Sequence, residues 1–353
     1  MTQNFSYAGS AAQIVFGAGS RKKVTEWIEK ASRKRALVLA TLQQKADAEA
    51  LASEIGQLAC GVFSGATMHT PVDVTEAAMR VVVETGADCV ISLGGGSTTG
   101  LGKAIAYRTD LLQIVIPTTY AGSEVTPILG QTDGGRKTTV RDAKILPEIV
   151  IYDPSLTLGL PVAMSVTSGL NAMAHAIEGL YAQDRNPISS LMALEGLRAF
   201  ARSMPVIVND PKNTQARSDA LYGAWLCGSV LGTVGMALHH KICHTLGGSF
   251  DTPHAETHAV MLPHTAAFNA AAAAPELAEA AGIFGGSIGG GLWDFAKAIG
   301  SPLSLKDFGL TEADLDRAAS IAVENPYWNP RPIDWESIRV LLQDAWEGRR
   351  PRD

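Results

Sequence analysis

Short apolar runs alternate with amphipathic stretches along the first 155 residues. RALVLAT at 35–41, CVISLGGG at 89–96, LLQIVIPTT at 111–119 and EIVIYDP at 148–154 are compact and mostly rich in β-branched residues, and Gly or Pro ends three of them. Such runs read as strands buried on both faces. Between them, ADAEALASEIGQL at 46–58 and DVTEAAMRVVVETG at 73–86 have helical spacing. The second is expected to open with Asp73 as N-cap and Glu76 completing a capping box. Beyond about residue 155 the strand pattern stops. ISSLMALEGLRAFARSM at 188–204, TQARSDALYGAWLCGSVLGTV at 214–234 and NAAAAAPELAEAAG at 269–282 read as helices, and GGSIGGG at 285–291 as a helix–helix connection. The expected fold is an α/β domain with a mostly parallel sheet at 1–155, then an all-α domain at 156–353, with ligands in the cleft between them.

Charge changes this picture little. The 29 Lys+Arg and 35 Asp+Glu give a net charge of −6, without a basic run, which argues against a nucleic-acid partner. The opening residues lack the basic-then-apolar pattern of a signal peptide, and no segment has the roughly 18 apolar residues of a membrane span. Cys60, Cys89, Cys227 and Cys243 are scattered without a CxxC pair, as expected of buried thiols in the cytoplasm.

Candidate chemistry lies in two places. Gly94, Gly95, Gly96, Ser97 and Thr98 leave a strand and precede a helical stretch containing Lys103. Backbone N–H groups exposed there form a phosphate cradle, although the strict GxGxxG and Walker patterns fail. A second strand-leaving loop supplies Thr118, Thr119, Ser123 and Thr126, whose hydroxyls are expected to contact a dinucleotide. The other place is a histidine cluster. His239, His240, His244, His254, His258 and His264 fall within 26 residues, and His175 lies in SGLNAMAHAIEGLYA. Asn171 and His175 share a helical face, as do His240 and His244. Such a cluster suits either a metal site or an acid–base and anion-binding site.

GGGSTTGLGKAIA, PTTYAGSEVTP, IYDPSLTLGLP, SGLNAMAHAIEGLYA, HHKICHTLGGSFDTPHAETHAVMLPH and NPYWNPRP resemble the iron-containing alcohol dehydrogenase superfamily, in its order. FGAG at 16–19 extends the likeness to nearly the whole chain. The resemblance implies a dehydroquinate synthase-like fold, a homodimer, and NADH or NADPH as cofactor. In metal-dependent members an Asp and three His bind iron or zinc. Those positions here are Asn171, His175, His240 and His254. His244 matches a histidine near the nicotinamide, and Lys144 a cofactor-contacting lysine.

Three departures refine the expectation. Asn171 replaces a carboxylate with a neutral amide, so no metal is expected. Gly100 stands where metal-dependent relatives usually carry Asp. Leu42 stands where NAD-preferring relatives carry a ribose-binding Asp, so both NADH and NADPH are expected to be accepted. The wording is most similar to the branch that reduces the double bond of an unsaturated keto dicarboxylate. On that reading His244 handles the proton, and His175, His240, His254 and Asn171 complete the polar pocket. Arg141, Lys241 and Arg331 are candidates for the substrate carboxylates. The alternatives are a metal-dependent alcohol or polyol dehydrogenase and a zinc-dependent lyase of the same fold.

Overall fold

The computed structural model describes all residues except 1–4, 6, 8, 10, 11 and 135, so the stretch read for a signal peptide lies largely outside it. The chain divides into two compact units, Gly9–Leu160 and, on the C-terminal side, Pro161–Asp353.

The first unit contains β1 (Gln13–Phe16), α1 (Val24–Lys30), β2 (Ala36–Leu39), α2 (Lys45–Ile55), β3 (Ala59–Phe63), α3 (Val72–Thr85), β4 (Cys89–Gly94), α4 (Gly96–Thr109), β5 (Leu112–Pro117), β6 (Ile128–Asp133), β7 (Arg136–Arg141) and β8 (Ile149–Tyr152). Six strands form a parallel sheet in the order β1-β8-β5-β4-β2-β3, and β6 and β7 form a separate hairpin. Alternation along the strands feeds two cores. Val38, Ile91, Ile114 and Ile151 pack on one face with Ile28 and Leu51, while Leu37, Leu39 and Val90 pack on the other with Val82, Leu101 and Ile105. The chain runs outward from β2 to β3, then returns to β4 and proceeds the other way to β5. The loops after β2 and β4 therefore flank a topological switch point, where α/β sheets bind ligands.

The second unit is helical: α5 (Val162–Tyr181), α6 (Pro187–Asn209), α7 (Thr214–Thr233), α8 (Leu238–Phe250), α9 (His254–Ala270), α10 (Ala274–Ile283), α11 (Ile288–Ala298), α12 (Glu312–Val323) and α13 (Trp335–Glu347). Every residue of α5 from Ser165 to Tyr181 is buried. Small residues let its neighbours approach: a Cβ on Gly179 would lie 2.1 Å from Val230 Cγ1. No single helix among the described residues is long and apolar enough to cross a membrane.

Three local expectations are corrected. Helix α3 is N-capped at Pro71 without a side-chain bond, so Asp73 is a first-turn acid and no Asp73–Glu76 capping box forms. The 269–282 helix breaks at 271–273, and Pro275, lacking a backbone donor, sits in the first turn of α10. The 285–291 segment is only partly a connection. Ser287 Oγ caps α11, which makes Gly289, Gly290 and Gly291 helical, and position 291 takes glycine because a Cβ there would lie 1.9 Å from the Phe284 carbonyl oxygen. Strands β1 and β3 and the polar β6–β7 hairpin were not legible as runs.

Candidate active site

In the α/β unit, β4 ends at Gly94 and α4 begins at Gly96, with Gly95 as an N-cap that supplies no side-chain acceptor. The first-turn N–H groups are thus left for a ligand, at the positive end of the helix dipole. Bulk is excluded here. A Cβ on Gly95 would lie 2.9 Å from Thr119 Cγ2, and Gly94 has φ +153. This cradle fits a pyrophosphate, with Gly95 and Ser97 partly accessible at its rim. Gln44, missed in the sequence, ties the three loops together: its Nε2 donates to Thr118 Oγ1 at 3.1 Å, and its Oε1 lies where a Gly94 Cβ would be.

Two cofactor assignments change. Thr126 is buried, accepting from Lys103 Nζ at 2.9 Å and donating to Ser123 O at 3.0 Å, so its hydroxyl braces the loop rather than meeting a ligand. Lys144 is exposed, 3.7 Å from Asp110. Asp110 caps the C-terminal end of α4, whose 14 residues place it about 21 Å from the glycine loop. Lys144 therefore lies at the wrong end of α4 for the cradle. Thr98 is fully buried, with its hydroxyl unpartnered. Lys103 carries the organising role instead. Its ammonium meets Ser123 O at 2.5 Å, Thr126 Oγ1 at 2.9 Å and Ile128 O at 2.9 Å. Burial pushes its pKa down to about 7, against the pull of Glu124.

Leu42 is 71% exposed. It lines a surface cavity with Gln43, Ser64, Gly65, Ala66 and Thr67, none of them acidic. Leu42→Asp adds a ribose acceptor and a charge that repels a 2′-phosphate. The NADPH-to-NADH ratio of kcat/KM is expected to fall by at least about tenfold, or ~1.4 kcal/mol; an unchanged ratio contradicts the placement. Gly100, buried in α4, has no room for a side chain, because a Cβ would lie 2.3 Å from Thr70 Oγ1.

In the helical unit, Asn171, His175 and Glu178 follow one face of α5; His239, His240 and His244 lie on α8; His254 and His258 lie on α9. Six imidazoles are contiguous. His240 is central, with ring centroids 5.2 Å from His175, 5.4 Å from His239, 5.8 Å from His244 and 5.0 Å from His258. His254 joins through His258 at 4.5 Å. His264 stands apart, with burial pushing its pKa down to about 4. Burial, reinforced by neighbouring imidazoles, pushes His175, His239 and His258 well below the usual histidine value, so they are neutral.

Hydrogen bonds set the ring orientations. Thr265 Oγ1 donates to its helix's Met261 carbonyl at 2.9 Å, so it accepts from His239 Nδ1, also at 2.9 Å. Neutral His239 then accepts at Nε2 from His258 Nδ1, at 2.9 Å. His258 Nε2 is left as a buried lone pair, and Asn171 Oδ1 and His175 Nδ1 are also buried without partners. Asn171 Oδ1 is therefore an acceptor left open to a donor or cation from a ligand. His244 is only partly buried, with Nδ1 3.4 Å from Tyr327 Oη.

The cations separate. Lys241 is half-buried on α8 beside His240. Arg331 bonds the Phe268 carbonyl at 3.2 Å and lies 4.0 Å over the Phe268 ring. Phe268 is ten residues past His258 on α9, about 15 Å along the axis, so Arg331 serves as a strut there rather than at the cluster. Arg141 is exposed at the end of β7. Glu178 and Tyr327 were overlooked in the sequence, and His239 and His258 were counted in the cluster but given no role. The available signal was Glu178 three residues after His175, on the same face.

A glycine cradle at a switch point and a buried set of neutral imidazoles define a nicotinamide-dinucleotide-dependent oxidoreductase acting on a small molecule. Residues 11–154 match the family described as iron-containing alcohol dehydrogenase, and 165–346 match the Fe-containing alcohol dehydrogenase family, C-terminal. The chain belongs to the iron-containing alcohol dehydrogenase family. It is 62% identical to the maleylacetate reductase of Rhizobium sp. (strain MTP-10005) over 99% of both chains. It is 52% identical to that of Burkholderia cepacia, over 98% of this chain and 99% of the other. The crystal structure of maleylacetate reductase from Agrobacterium tumefaciens superposes with a TM-score of 0.97 at 64% identity, covering 99% of this chain and 100% of that one.

Proposed function

We propose that this enzyme reduces the carbon–carbon double bond of maleylacetate, giving 3-oxoadipate, in the breakdown of aromatic compounds. It does so with NADH or NADPH and without an essential metal. The α/β unit holds the dinucleotide at Gly94, Gly95, Gly96, Ser97, Thr118 and Thr119, and the helical unit holds the substrate. The bound dinucleotide supplies the hydride. Addition at the alkene carbon β to the ketone moves negative charge to the ketone oxygen. The Asn171 amide N–H, with a ring N–H of His175 or His254, stabilises that oxygen as a pre-placed donor. His244 delivers the proton that completes the reduction, and Lys241 and Arg141 hold carboxylates.

Asn171 is the observation that carries the metal-free reading. The family's divalent ion has an aspartate at this position, whereas the amide brings no charge. Both Glu178 oxygens are already engaged, with His239 N and His240 Nδ1. Among the described residues, His239, Cys243 and His258 form a group of three His, Cys, Asp or Glu side chains whose ligand atoms all lie within 4.8 Å of one another. Two of them hydrogen-bond each other, and burial holds the Cys243 thiol well above its usual pKa. The neutral amide at position 171 supports a site that works without the family's ion. We read the enzyme as cytoplasmic, without a nucleic-acid or membrane partner; the chain is mildly acidic, and among the described residues no single helix is long and apolar enough to cross a membrane. The family likeness supports a homodimer.

NADH oxidation with maleylacetate is the test. A chelator-treated preparation is expected to retain its rate within twofold. Loss of activity restored by iron or zinc would sink the metal-free reading. NADH oxidation with simple ketones or aldehydes but not maleylacetate would sink the substrate. Asn171→Asp is expected to raise metal affinity, measured as metal bound per chain.

A further inference from the structure

We propose that Glu178 is a positioning residue that sets the tautomer of His240, and through it the proton chemistry of the cluster. Glu178 is 1% exposed in the middle of α5. Its two oxygens do different work. Oε1 accepts the His239 backbone N–H at 2.7 Å, and Oε2 meets His240 Nδ1 at 2.5 Å. The His239 N–H belongs to the first turn of α8, whose N-cap Ala237 supplies no side-chain acceptor. Glu178 therefore fills from another helix the capping role that α8 lacks.

A carboxylate only accepts, so both of its partners must donate. His240 thus carries its proton on Nδ1. Nε2, on the far edge of the ring, is the nitrogen that can exchange a proton with ligand or water. Any positive charge the ring acquires is met by the Glu178 carboxylate. The His240 ring packs against those of His175, His239, His244 and His258, so it occupies the middle of the cluster.

Glu178→Gln separates this role from packing. Glutamine has the same shape but offers one acceptor and one pair of donors. The backbone N–H of His239 cannot change, so it keeps the amide oxygen. The amide NH₂ then faces His240 Nδ1, which has to give up its hydrogen. The ring inverts to the Nε2–H tautomer with its position retained.

The inference rests on the maleylacetate-reducing reading for its kinetic arm but not for its spectroscopic arm. The spectroscopic arm is ¹⁵N NMR of histidine-labelled protein, with the His240 signals assigned by their loss in His240→Asn. The wild type is expected to show the Nδ1–H tautomer and Glu178→Gln the Nε2–H tautomer. The kinetic arm is expected to show kcat for maleylacetate lowered by about 10²-fold or more, with KM and NADH affinity within threefold. A wild-type Nε2–H tautomer overturns the proposal and does not depend on Glu178→Gln folding. So does a Glu178→Gln enzyme with kcat within threefold of wild type, or one that loses turnover with the His240 tautomer unchanged. A wild type that fails to reduce maleylacetate sinks the substrate reading instead and leaves the tautomer test standing.

Discussion

His244→Ala is expected to lower kcat for maleylacetate by about 10²–10⁴-fold, the range of a lost proton donor, with NADH affinity nearly unchanged. Among the cluster's imidazoles His175, His239 and His258 are enclosed and neutral. His244 is only partly buried, one turn from His240 on α8, with Tyr327 Oη 3.4 Å from its Nδ1. It can therefore reload a proton from solvent while staying in contact with the cluster. Lys241→Ala should show a different signature. A carboxylate clamp holds ground state and transition state alike, so its loss raises KM for the dianion and leaves turnover of an uncharged enone largely intact. Arg141→Ala is expected to behave like Lys241→Ala. Stopped-flow and steady-state assays separate these cases. Normal turnover in His244→Ala moves the proton role to His240. An unchanged KM in a Lys241 or Arg141 variant returns that residue to the solvated surface.

Lys103→Met is expected to destabilise the α/β unit by about 2–4 kcal/mol and to weaken NADH binding by at least about tenfold. The ammonium holds Ser123 O, Thr126 Oγ1 and Ile128 O in the interior. Each buried acceptor left unpaired costs ~1–3 kcal/mol, partly offset by no longer burying a cation. The effect on binding follows from connectivity. Lys103 sits on the helix that starts at the first glycine loop and grips the second loop from beneath. Urea unfolding and fluorescence titration with NADH provide the two readouts. Wild-type affinity in a destabilised variant would show that the loops keep their shape without the lysine.

Strands β2, β4, β5 and β8 were legible because each is a mostly apolar run, and burial on both faces demands such a run. The cradle was legible because glycines follow a strand. The Asn171–His175 and His240–His244 spacings placed those pairs on their helices correctly. Short or polar strands were missed because β1 and β3 are only partly buried and β6–β7 is a polar hairpin. Lys144 and Thr126 were misassigned for a shared reason: residue type and likeness say nothing about which end of a helix a side chain reaches, or whether a hydroxyl is already engaged. Glu178 was passed over because a glutamate within a helix reads as a surface residue. Only the approach of α8 makes it a buried acceptor for two donors.

The contact between Gly100 and Thr70 constrains how this chain could change over time. Thr70 and the preceding His69 both occupy left-handed backbone, with φ of +46 and +65. The Thr70 hydroxyl fills the space into which a side chain at position 100 would project. An aspartate introduced there, as metal-dependent relatives carry, would meet the Thr70 hydroxyl unless that side chain turned aside. Conversion therefore has an order: position 70 must shrink or relax first, and position 100 can follow. A library that varies positions 100 and 171 alone would meet a barrier that a library including position 70 avoids.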